Sequence, residues 1–148
     1  MGLLLDEIGH GIAFCLVSLY IFQFIPKLYS DRAFVFGLVS TYFIDLDHLF
    51  DYFLNMGFSV NFSKILTGSY FGENQKIYVL LHSWELVALL LGVFLFSKNK
   101  LNHKVLFFIF VAFAMHLTYD LASYGFDYKV YFALYRLINS FDINVFLT

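Results

Sequence analysis

Three aspartates and a histidine crowd into the stretch STYFIDLDHLFDYF, residues 40–53, as Asp45, Asp47, His48 and Asp51. Four further groups of the same chemistry sit in equally apolar surroundings: His10, His82, His116 and Asp120. Carboxylates and imidazoles are costly to bury unless they are paired, protonated or bound to metal. Two chemistries use such a set. Imidazole with carboxylate suits zinc, and less often manganese or iron. The same groups, without an ion, build proton relays and ion paths. A relay needs polar stations across the whole membrane, whereas stretches such as LVALLLGVFLF and VLFFIFVAF carry none, which favours the metal. A lone buried histidine is most often a hydrogen-bonded core residue. It is the convergence of several that points to a ligand set.

Helical spacing groups the candidates. His116 and Asp120 are i, i+4, while Asp45 and His48, and His82 and Glu85, are i, i+3, so each pair shares a helix face. Asp47 falls on another face of an ideal helix, with Asp51. That leaves three outcomes: only one aspartate is a ligand, the helix is irregular here, or there are two ions. Glu85 is the carboxylate left for proton transfer, with Asp47 as the other catalytic candidate. Asp6, Glu7, Asp51 and Asp127 read as solvated helix-end groups.

The elements that must position these residues are membrane helices. Of 148 residues 61% are hydrophobic and only 14% charged, against roughly 25% charged in a soluble domain. Apolar runs over 8–25, 33–54, 77–96 and 105–125 each approach the ~20 residues that span a bilayer. The expected fold is all-α and polytopic: a single domain of four transmembrane helices in two hairpins. A C-terminal segment over 127–142 comes next, as an amphipathic helix on the membrane surface or a fifth span. The link over 55–76, with Gly57, Gly68 and Gly72, would form an extramembrane lid. With helices alternating in direction, His10, Asp45, Asp47, His48, His82, His116 and Asp120 gather at one face, and His103 lies at the other. Equal intervals separate His10 from His48 and His82 from Asp120, which suggests a parallel repeat of two hairpins.

Other features narrow the class. Asp6 and Glu7 stand where a signal peptide would be basic, and Asp6 disrupts a myristoylation motif. Cys15 is the only cysteine, so it has no intrachain disulfide partner. A net charge of −2 with no dense basic block gives no nucleic-acid partner; the lipid bilayer is the partner. Lys27, Arg32, Lys98, Lys100 and Lys104 crowd the two short links, so that face is expected to be cytoplasmic and the histidine face extracytoplasmic.

The sequence segments GHGIAF, FIDLDH, LHSWEL and MHLTYDLASYG resemble, in order, the motifs of a bacterial inner-membrane family described as membrane-bound, metal-dependent hydrolases. They are also similar to smaller membrane proteins with an aspartate–histidine motif and a His-Ser on successive helices. The resemblance covers roughly residues 9–125. It implies that His10, Asp45, Asp47, His48, His82, His116 and Asp120 are metal ligands, and that the protein sits in the inner membrane. Ser83 comes after His82 as the family serine does. Ile44 replaces the family's proline, Leu81 its threonine, and IYV (77–79) its H-R-G, removing an arginine suited to phosphate. The expected function is a metal-dependent hydrolase acting on a phospholipid or lipid-linked phosphoester. The alternative is a non-catalytic protein whose polar cluster binds a structural or transported ion or clamps the helices.

Overall fold

A computed structural model describes residues 3–125 and 127–146. Among the described residues the chain is helical, with no strand and one isolated antiparallel bridge, Lys76 to Asp142. Helix α1 covers Leu3–Phe24 and ends before Pro26, which opens a 3-10 turn over Pro26–Leu28. Ser30 caps α2, Asp31–Phe43, by accepting the Ala33 N–H at 3.2 Å. Then come α3, Leu46–Met56, and two short helices in the second link, α4 over Phe62–Thr67 and α5 over Phe71–Asn74. Helix α6 covers Trp84–Phe96, α7 Lys100–Tyr124 and α8 Ala133–Ile138.

Three helical stretches are long and apolar enough to cross a membrane: Leu5–Phe24, Asp31–Met56 (α2 and α3 together) and Asn102–Tyr124. Their outward faces carry exposed Leu16, Leu19, Val39 and Leu46, as suits helices apolar on more than their core side. Helix α7 is the central post, packed along α2, α6 and α1. Toward one end Phe14, Ala33, Phe108 and Ala112 form a core, and toward the other Ile44, Val87, Phe113 and Leu117 pack with Tyr131 and Phe146 of the tail. The links after α1 and α6 share an end, where Lys104 Nζ donates to the Tyr29 carbonyl at 3.1 Å.

Three expectations about the elements change. The helix expected over 33–54 is interrupted at Ile44 and Asp45. There the Asp47 N–H reaches the Ile44 carbonyl at 3.3 Å and the His48 N–H the Asp45 carbonyl at 3.1 Å. These i to i−3 bonds tighten the turn and rotate α3 out of register with α2.

The helix expected over 77–96 begins only at Trp84, capped by Ser83. Thirteen residues at 1.5 Å each span about 20 Å, short of the ~30 Å hydrocarbon core. Residues 77–83 run outside any helix, and their backbone groups are met by side chains and by the tail. Asp51 Oδ1 accepts the Tyr78 N–H and Asp47 Oδ2 the Leu81 N–H, both at 2.6 Å. The Ile77 N–H donates to the Phe141 carbonyl at 2.9 Å, and Asn55 Nδ2 to the Lys76 carbonyl at 3.3 Å. Irregular backbone is tolerated at membrane depth only when buried in protein and satisfied in this way. Asp51, expected as a solvated end group, is therefore fully buried.

The tail is not one amphipathic helix over 127–142. It breaks into a 3-10 turn at Tyr128–Tyr131, the two-turn α8 and a second 3-10 turn at Ile143–Val145. Its Arg136 is fully buried. Arg136 Nη1 donates to the carbonyls of His82, at 3.0 Å, and Val130, at 2.6 Å, and Nη2 to that of Val79. Burial pushes this guanidinium down to about 10, against the pull of the Asp47, Glu85 and Asp51 carboxylates. It stays cationic at neutral pH and ties the tail to the segment bearing His82.

Candidate metal centre

His10 comes from α1, Asp45 from the break after α2, Asp47 and His48 from α3, His82 from the non-helical segment, and His116 and Asp120 from α7. All seven predicted ligands come together. Three overlapping groups offer donor atoms within 4.8 Å of one another: His10, His116 and Asp120; Asp45, His82 and His116; and Asp47, His48 and His82. Such groups could hold a metal ion. The tightened turn brings Asp45, Asp47 and His48 to one side, which an ideal helix does not do.

The centre is a triangle of atoms. His82 Nε2 and His116 Nε2 stand 3.2 Å apart, and Asp45 Oδ1 lies 3.3 Å from the first and 3.4 Å from the second. Donors about 2.0–2.1 Å from a tetrahedral ion stand about 3.4 Å from each other, so the triangle has the dimensions of one face of such a shell. Asp120 Oδ2 lies 3.7 Å from His82 Nε2 and 3.5 Å from His116 Nε2.

Neighbouring groups fix the orientation of both rings. His116 Nδ1 is 3.1 Å from the Thr41 carbonyl, and a carbonyl only accepts, so Nδ1 carries a proton and Nε2 is the atom turned to the cluster. His82 Nδ1 faces Asp47 Oδ1 at 3.0 Å, although the two are misaligned for a hydrogen bond. Asp120 is steered by His10, whose Nε2 meets its Oδ1 at 2.8 Å. The His10 ring also stacks on His116 at 3.8 Å, nearly parallel. Carboxylate and carbonyl partners behind ligand histidines are the common outer shell of metal sites.

Access is uneven. The side chains of His82, His116, Asp47 and Asp120 are nearly sealed, whereas His48 is 30% exposed and Asp45 16%. The opening therefore lies on the Asp45–His48 side, beneath the second link. Tyr70 of that link donates to the His48 carbonyl at 3.0 Å, so the link leans on α3 beside the opening.

Three residues differ in position from the sequence expectations. Glu85 is turned away from the cluster: its oxygens accept the Ala133 and Leu134 N–H groups, each at 3.0 Å, and hold the start of α8. Its i, i+3 relation to His82 does not apply, because the helix starts after His82. Glu7, read as a solvated end group, joins His10 and Asp45 in a fourth group of donors within 4.8 Å. Asp6 is likewise buried, and accepts from the Tyr124 hydroxyl. The missed signal was spacing, since Glu7 and His10 are i, i+3 on α1 and share a face.

No protein-family model, curated protein or solved structure matches the chain.

Proposed function

We propose that the chain is a membrane-embedded, metal-dependent hydrolase whose substrate is a phospholipid or a lipid-linked phosphoester. One observation carries the metal. Two imidazole Nε2 atoms and a carboxylate oxygen face one another at 3.2–3.4 Å, with His116 Nδ1 held from behind by the Thr41 carbonyl. Three such atoms repel unless a proton or a cation lies among them, and a tetrahedral ion fits their spacing. The donor set suits zinc first, with manganese or iron next.

A divalent ion at such a site would lower the pKa of a bound water to about 7 and so supply a nucleophile at neutral pH. The chain's own residues would do the rest. His82, His116 and Asp45 would hold the ion, with Asp120 steered toward it by His10. Asp47 faces the His82 ring and holds the 77–83 segment, and Glu85 holds the start of α8 away from the cluster, so both of the expected catalytic carboxylates have structural partners. The partly exposed His48 is the group at the opening suited to exchange protons with solvent. The opening's position near one end of the spans favours a substrate whose head group lies at the membrane surface. The four motif segments add their resemblance to metal-dependent hydrolases of the inner membrane.

A second reading rests on the 2.8 Å His10–Asp120 contact, which already pairs one ligand candidate with another. In it the cluster is a proton-sharing clamp between helices and turns over nothing. Elemental analysis of detergent-purified protein separates the two, beside a His82→Ala/His116→Ala variant. The hydrolase reading expects bound zinc or manganese that is lost in the variant, together with metal-dependent cleavage of a phospholipid or lipid-linked phosphoester. A folded, monodisperse sample that takes up no metal on titration would sink it.

A further inference from the structure

The metal triangle leaves a second set of donors unused. Asp45 Oδ1 faces the two imidazoles, while Asp45 Oδ2 is buried with no hydrogen-bond partner. His10 spends Nε2 on Asp120, and its Nδ1 is buried and unpartnered. Glu7 Oε2 is also buried and unpartnered. These three residues offer ligand atoms within 4.8 Å of one another. The His10 side chain is only 1% exposed, so water does not meet its needs from outside. The lysine ion pairs among the described residues, Lys64–Glu73 and Lys129–Asp127, lie elsewhere. Two abutting carboxylates beside an imidazole, with no lysine or arginine paired to them, need either a shared proton or a cation.

We propose that Glu7, His10 and Asp45 hold a second divalent cation next to the first, with Asp45 giving one carboxylate oxygen to each ion. The inference rests on the metal reading above and extends it to a two-ion centre. Such centres bind both the attacking and the leaving oxygen of a phosphoester. Glu7 then has a ligand role, and His10 joins the two halves: Nε2 steers Asp120 toward the first ion while Nδ1 is available to the second. Two carboxylates and one imidazole form a harder donor set than the first triangle, so manganese or magnesium competes with zinc better there than at the first site.

The test is the full-length chain in detergent, saturated with Mn2+, stripped of loose ions and measured by elemental analysis and electron paramagnetic resonance. Wild type is expected to hold about two ions per chain in a spin-coupled pair, and Glu7→Gln about one with an isolated-ion spectrum. Gln keeps the shape of Glu, and the wild-type spectrum is decisive even if that variant fails to fold. One uncoupled ion in both proteins would overturn the second site and leave a proton shared between Glu7 and Asp45, with the first site intact. Two ions retained in Glu7→Gln would overturn the assignment to Glu7. No ion in wild type would overturn both readings, which separates the failure of this inference from the failure of the metal centre itself.

Discussion

At the scale of single residues, the sequence shows which types converge but not which atoms face inward. His82, His116 and Asp45 were legible because imidazoles and carboxylates stand out in apolar helices. Their partners were not. The acceptor behind His116 is a backbone carbonyl, Thr41, and no side-chain pattern announces it. Glu85 shows the opposite error: helical spacing placed it beside His82, but its carboxylate holds two N–H groups of α8. Glu85→Ala is therefore expected to loosen the tail and leave the metal bound. Loss of a helix N-terminal acceptor costs about 0.5–2 kcal/mol, so thermal unfolding in detergent should shift down modestly. Metal content should be unchanged. Metal lost from a variant that is still folded would return Glu85 to the site.

At the scale of elements, long apolar runs gave three of the membrane-length helices, because a bilayer demands length and hydropathy and little else. The break at Ile44 and Asp45 and the late start of α6 were not legible, because both depend on partners far along the chain. Segment 77–83 is stable outside a helix only because Asp51, Asp47 and Arg136 meet its backbone groups from α3 and α8. Ser83, three residues before Leu86, was a readable cap for the helix start. Close approach of α2 to α7 is equally specific. A Cβ at Gly37 would stand 2.5 Å from Phe14 Cζ and 2.9 Å from the Phe108 carbonyl oxygen. The ring can turn away, but the backbone of α7 cannot without moving the helix. Gly37→Ala is expected to push α2 from α7, at about 1–3 kcal/mol for overpacking, and to carry the Thr41 carbonyl away from His116. Both a lower unfolding temperature and weaker metal binding should appear, the second in a competition titration. An unchanged affinity would mean that Thr41 does not orient the ring.

At the scale of the whole molecule, the polar chemistry is gathered at one end of an otherwise apolar body. The other end is basic, with Lys27 and Arg32 in and just after one link and Lys98 and Lys104 in and just after the other. Excess lysine and arginine in short links is retained on the cytoplasmic side. On that rule the histidine–aspartate cluster and the 57–76 link are expected on the opposite side, within reach of the outer leaflet. Accessibility in intact cells tests that orientation directly. Cys15 lies within α1 and can be replaced by Ser, giving a cysteine-free background. Ser63 and Lys98 are both exposed and lie at opposite ends of the helical body. Ser63→Cys is expected to react with a membrane-impermeant thiol reagent in intact cells, and Lys98→Cys only after the membrane is opened. The reverse pattern would turn the centre toward the cytoplasm, where a lipid substrate would have to be drawn from the inner leaflet. Equal labelling of both from outside would mean that the chain is inserted both ways.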